Sequence, residues 1–107
     1  MKEITVTELK AKMDAGEDIE LIDVRQPNEF EFAKIEGAKL IPLGEIIARK
    51  DEIDSSKEIV MQCKSGGRSA RAIQALQASG FEGDMANLVG GILAWSDQID
   101  PSVPKYN

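Results

Sequence analysis

The 107-residue chain has no histidine, and that one absence removes much of the usual catalytic apparatus. A Cys-His dyad and a Ser-His-Asp triad both need an imidazole base. A zinc site would be left with almost no ligands beyond carboxylates, so neither a metal nor another cofactor is expected. Cysteine occurs once, which rules out an internal disulfide and agrees with a reducing compartment. A thiol-disulfide oxidoreductase normally needs a resolving thiol, and this chain has none. Long apolar runs are also missing: nothing approaches the ~20 residues that cross a bilayer. Met1-Lys2-Glu3-Ile4-Thr5-Val6 lacks the apolar centre of a signal peptide, so the expected location is the cytosol.

What remains is the composition of a globular protein, 42% hydrophobic and 30% charged, without repeats or low-complexity segments. A chain of this size buries roughly 65% of its unfolded surface, enough for one core, and residues 1–107 are expected to form one domain. The net charge of −6 is unevenly spread: residues 1–62 carry 9 bases and 15 acids, whereas residues 63–107 carry 4 of each. Such a chain is a poor binder of nucleic acid or an anionic membrane, but arginines gathered at one loop can hold a small anion.

That loop is Cys63-Lys64-Ser65-Gly66-Gly67-Arg68-Ser69. The β-branched, apolar run Glu58-Ile59-Val60-Met61-Gln62 before it reads as a buried strand, and Ala70 to Ser79 reads as a helix. Two glycines allow a sharp turn with positive φ, which points successive N–H groups into one bowl. The amino end of the following helix adds positive field, and Lys64, Arg68 and Arg71 add cations with no acid among them. A thiol there should ionise below the free-cysteine pKa of about 8.5. An unpaired intracellular cysteine is more often a small buried hydrophobe, but this setting points to an activated Cys63.

Along the rest of the chain, Ile4-Thr5-Val6 is a strand candidate, and Thr7 is placed to cap a helix that puts Leu9 and Met13 on one face. Ile19 to Val24 suits an interior strand. Asp23 and Arg25 fall at its end, where open parallel sheets put their ligand crevice, and Glu29 follows in a short helix or turn. The expectation for these three is a supporting hydrogen-bonded network. Lys39-Leu40-Ile41 reads as a strand, and Leu43, Ile46 and Ile47 form a helical stripe running toward Ile53. Met85 to Val89 is the last strand, and Gly90-Gly91 opens a helix with Ile92, Trp95 and Ile99 on one face. Two prolines make residues 101–107 an expected extended tail. Strands alternating with helices imply an α/β fold, an open and mostly parallel sheet with helices on both faces.

The loop, together with Leu21-Ile22-Asp23-Val24-Arg25, Glu29-Phe30, Gly37-Ala38, Ile41-Pro42 and Gly90-Gly91-Ile92 to Trp95, resembles the single-domain rhodaneses, in the same order over nearly the whole chain. Lys34 stands where that family commonly carries a histidine. The resemblance implies a five-stranded sheet and a sulfurtransferase that holds sulfur as a persulfide on Cys63. It also implies an anionic sulfur donor such as thiosulfate or a persulfide. The segment from Gly90 to Tyr106 is especially similar to rhodanese domains fused behind adenylyltransferases of the molybdopterin and thiamine-sulfur pathways. A ubiquitin-like sulfur carrier, or such an adenylyltransferase, is the partner implied.

Sulfur transfer suits a site without a base, because its leaving groups are stable anions. The protein need only lower the thiolate pKa and hold negative charge with preorganised donors. In this scheme Cys63 is the nucleophile, and the amides from Lys64 to Ser69 cradle the outer sulfur. Lys64 and Arg68 favour the thiolate, Ser65 and Ser69 donate further hydrogen bonds, and Gly66 and Gly67 let the loop close. A cysteine-dependent phosphatase or arsenate reductase is the enzymatic rival, but its loop has five residues between cysteine and arginine whereas four separate Cys63 from Arg68. A non-catalytic interaction module of the same fold is the rival of a different class.

Overall fold

Apolar residues on both parities of the central strands decide the architecture. In β4 (Glu58–Gln62), Ile59 and Met61 enter one apolar cluster and Val60 enters another, all fully buried, so the strand is covered on both faces. β2 (Ile19–Asp23) divides Ile22 and Leu21 in the same way. In the computed structural model, which describes all residues 1–107, these two strands pair in parallel at the centre of a five-stranded sheet. β1 (Glu3–Ile4), β3 (Lys39–Leu40) and β5 (Asp84–Leu88) complete the order β1-β5-β4-β2-β3, with every pairing parallel.

Four helices cover the sheet: α1 (Val6–Asp14), α2 (Pro27–Phe32), α3 (Gly67–Ala78) and α4 (Gly91–Gln98). Ala72, Ile73 and Leu76 of α3 pack with Ile22, Ile59 and Met61, and Cys63 belongs to this layer. Leu9 of α1 and Ile92 and Trp95 of α4 pack with Leu21, Val60, Ala86 and Leu88 on the other face. Replacing one of the larger of these buried side chains by alanine would leave a cavity, at about 2–5 kcal/mol.

The connection after β2 leads to β3 on one side, and the connection after β4 leads to β5 on the other. The carboxyl ends of these adjacent strands are therefore the switch point at which ligand crevices form. The register aligns them: Asp23 pairs with Gln62 and with Leu40, so the residues after β2 and β4 emerge side by side.

Three local expectations change. α1 begins at Val6 and is capped by Thr5 rather than Thr7: the Thr5 hydroxyl accepts from Glu8 N at 3.1 Å, and the Glu8 carboxylate accepts from Thr5 N at 2.9 Å. This reciprocal pairing satisfies amides that a helix start leaves open, and it draws Val6 out of the strand. The stripe from Leu43 to Ile53 is not an α-helix but two 3-10 turns, Leu43–Glu45 and Lys50–Glu52. Its apolar spacing of three fits that tighter winding, which buries Ile46 and Ile53 and leaves Ile47 exposed. The residues after α4 do not trail away. The Ser96 hydroxyl donates to Val103 O at 2.6 Å, and Val103 and Tyr106 pack on the second apolar cluster. No helix is long and apolar enough to cross a membrane.

Candidate active site

Cys63 follows the last residue of β4 on the α3 side of the sheet, and its residue surface is only 1% exposed. By burial alone it is the small hydrophobe of the ordinary case. Its polar surroundings say otherwise. Gly66 N donates to Sγ at 3.1 Å, and the Ser69 hydroxyl lies 3.3 Å from it. Burial opposes ionisation of this thiol, but the Ser69 hydroxyl and the amides of Ser69, Gly66 and Ser65 outweigh it, so the pKa falls below the ordinary thiol value.

The loop presents amides to the sulfur because its carbonyls are occupied elsewhere. Cys63 O accepts from Ile92 N at 2.9 Å and from the Gln62 side chain at 3.0 Å, and Lys64 O accepts from Leu93 N at 3.2 Å. The first turn of α4 thus holds the loop's back, using amides that a helix start leaves free. Gly66 O accepts from Ala70 N at 3.2 Å and from the Asn87 side chain at 3.1 Å. Gly66 has φ +115°, a conformation that a side chain would strain. Gly67 does not share it. It is the first residue of α3, and a Cβ there would meet nothing within 4 Å, so of the two glycines expected to supply the positive φ only Gly66 does. The second glycine the loop requires is Gly91, whose Cβ would collide with the carbonyl oxygens of Cys63 and Lys64.

Arg68 projects from the start of α3, but it is not a free cation. Its guanidinium pairs two-pronged with Glu29, at 2.6 and 2.8 Å. The pair is partly shielded, with side-chain exposures of 27% and 14%. The Arg68 pKa is raised chiefly by Glu29 and in smaller part by the charge of Cys63. Glu29 is in turn held down to a pKa of about 2, first by Arg68, then by Tyr106 and the Gln26 amide against the effect of burial. Asp23 and Arg25 form a fully buried pair with Nη2–Oδ2 at 2.7 Å, and Arg25 also donates to Ala33 O at 2.6 Å. Asp23–Arg25 and Glu29–Arg68 are thus two ion pairs, one fully buried and one partly shielded.

Lys64 has no carboxylate partner, and its ammonium lies 4.9 Å from the centre of the Tyr106 ring. Ser65 is exposed and contributes its amide; Ser69 is buried and contributes its hydroxyl. Arg71 is exposed on α3. The three concavities of the surface are lined by other residues, and Cys63 borders none of them. The thiol is thus met by a small set of donors, suited to an anionic sulfur.

A family model described as rhodanese-like domain matches residues 5–98. The chain belongs to that family. Among its rhodanese-like relatives, the putative sulfurtransferase YtwF of Bacillus subtilis is 37% identical over 101 residues, covering 94% of this chain and 96% of its own length. The probable adenylyltransferase/sulfurtransferase MoeZ of Mycobacterium tuberculosis is 40% identical over 108 residues, covering 96% of this chain and 26% of its own length. The first curated relatives are longer proteins, of whose length the chain spans 26% to 38%. The crystal structure of a rhodanese-like domain protein from Staphylococcus aureus superposes with TM-score 0.82 at 31% identity, covering all of both chains.

Two residues of this rhodanese-like site were not singled out in the sequence. Asn87 of β5 accepts from the Ser69 hydroxyl at 2.5 Å and donates to Gly66 O, fastening the loop to the neighbouring strand. A polar residue at a buried position of Met85-Ala86-Asn87-Leu88 was the available signal. Tyr106 reaches the site from the tail, and no local pattern announces that contact.

Proposed function

We propose that this chain is a sulfurtransferase that moves a sulfane sulfur from an anionic donor to a thiophilic acceptor through a persulfide on Cys63. The observation that carries the reading is the approach of the Gly66 amide and the Ser69 hydroxyl to Sγ while the carbonyls of Cys63, Lys64 and Gly66 are bonded elsewhere. The Cys63 thiolate attacks the outer sulfur of thiosulfate or of a persulfide. One S–S bond forms, the donor's S–S bond breaks, and sulfite or a thiolate leaves with the electron pair. The terminal sulfur, now anionic, rests against the loop amides. An acceptor nucleophile then attacks it, and Cys63 departs as thiolate. Neither step needs a general base, in keeping with a chain that has no histidine.

Cys63 is the nucleophile in this scheme. The backbone of the loop from Lys64 to Ser69 binds the sulfur, the Ser69 hydroxyl lies against it, and Arg68 supplies positive field tempered by Glu29. Asp23, Arg25 and Glu29 support the loop. The printed name of MoeZ pairs adenylyltransferase with sulfurtransferase, and by extension an adenylyltransferase or a ubiquitin-like sulfur carrier is the proposed acceptor partner. The lone unpaired cysteine suits the reducing cytosol. Incubation with thiosulfate and cyanide tests the scheme: thiocyanate should form, and Cys63→Ser should abolish it. Turnover of a phenyl phosphate at a comparable rate would favour the phosphatase alternative instead.

A further inference from the structure

The tail leaves α4, is pinned by Ser96 to Val103 and by the Lys105–Asp97 ion pair, and delivers Tyr106 to the thiol site. The Tyr106 hydroxyl accepts from Arg25 Nη1 at 2.9 Å and donates to Glu29 Oε2 at 2.7 Å. Its ring takes the Phe32 ring edge-on at 5.8 Å and faces the Lys64 ammonium. One side chain thus joins the buried Asp23–Arg25 pair to the partly exposed Glu29–Arg68 pair.

We propose that Tyr106 is a positioning residue of the thiol site: by bridging Arg25 to Glu29 it holds the Glu29–Arg68 pair in place beside Cys63. Arg25 is immobile, being fully buried and bonded to Asp23 and Ala33 O. Glu29 lies on the short helix α2, and its carboxylate accepts from both Arg68 nitrogens, from Gln26 N at 3.1 Å and from Tyr106. Without the hydroxyl, the carboxylate keeps the Gln26 amide, and Arg25 reaches Glu29 only through its backbone carbonyl at 3.4 Å, so no side chain ties the carboxylate to the buried pair and the position of Arg68 is less restricted. A guanidinium that samples many rotamers exerts a weaker mean field on the sulfur than one held in a fork. The phenol itself stays protonated through neutral pH, because burial, the largest influence, raises its pKa.

The inference takes the site from the sulfurtransferase reading, but its test does not depend on that activity. Tyr106→Phe keeps the ring and removes the bridge. Alkylation of Cys63 is followed against pH with neutral iodoacetamide, and the rate ratio of anionic iodoacetate to iodoacetamide reports the positive field. In Tyr106→Phe the alkylation midpoint should rise, and the ratio should fall about three- to tenfold, the factor corresponding to one hydrogen bond. In a Glu29→Ala background, or in Arg68→Ala if that variant does not fold, adding Tyr106→Phe should change neither quantity, since the groups through which it acts are gone. Tyr106→Phe indistinguishable from the parent, or equally effective in both backgrounds, overturns the proposal. Absence of sulfur transfer with the alkylation effects present would overturn the functional reading and leave this one standing.

Discussion

Glu29→Gln tests the electrostatic scaffold around the thiol with a single-atom-scale change. The carboxyl pKa lies at about 2 in the folded protein against an ordinary 4.5. A displacement of that size corresponds to at most about 3 kcal/mol of stability. Because the folded-state pKa is depressed, the contribution is present in full above pH 4.5 and is lost as pH falls toward 2. Glutamine still offers one acceptor to Arg68 or Tyr106, so the expected loss at pH 7 is about 2 kcal/mol, the range of a hydrogen bond to a charged group. For a chain of this size that lowers Tm by roughly 10 °C. Urea unfolding of both proteins at several pH values from 7 to 3 measures it, and the gap between them should close steadily on the acid side. Equal stability at pH 7, or a gap that does not change with pH, would refute the assignment of a charged, strongly paired Glu29.

Other outcomes follow from the same geometry. The pH profile of Cys63 alkylation should have its midpoint below that of an ordinary cysteine, and Ser69→Ala should move it upward, because the Ser69 hydroxyl is the largest influence that lowers the pKa. Arg68→Ala should reduce sulfur transfer and raise the same midpoint. Gly67→Ala should fold and function as the parent, being the first helical residue with open space at Cβ, whereas Gly91→Ala should lower both stability and transfer because it displaces the Cys63 and Lys64 carbonyls. Thermal unfolding and a thiocyanate assay distinguish the two. Asp23→Ala should destabilise by about 3–5 kcal/mol, since it strands the buried Arg25 without its counter-ion.

Much of this architecture was legible in the residues. Glu58 to Gln62 is apolar on both parities, which marks a strand covered on both faces, and it occupies those positions in the structure. The cysteine, the glycine and the helix that follows lie close in sequence, so the amide ring could be read locally. Elements decided by distant partners were less legible. Thr7 reads as the cap because Ile4-Thr5-Val6 reads as a strand, and the Glu8 side chain closing on Thr5 moves the helix start to Val6. The segment from Leu43 to Ile53 carries apolar spacing that both an α-helix and a 3-10 turn accept, and the sheet face selects the latter. Arg68 read as a free cation because Glu29 lies far away in sequence, and Tyr106 read as tail because its partners Arg25 and Glu29 belong to the second strand's end and α2.

On the proposed reading Cys63 accepts one sulfur atom and gives it up again. Intact-mass spectrometry after incubation with thiosulfate should show a gain of one sulfur that cyanide or a thiol removes and that Cys63→Ser never acquires. An unchanged mass after incubation with thiosulfate and with a low-molecular-weight persulfide, or an equal gain in Cys63→Ser, would contradict it.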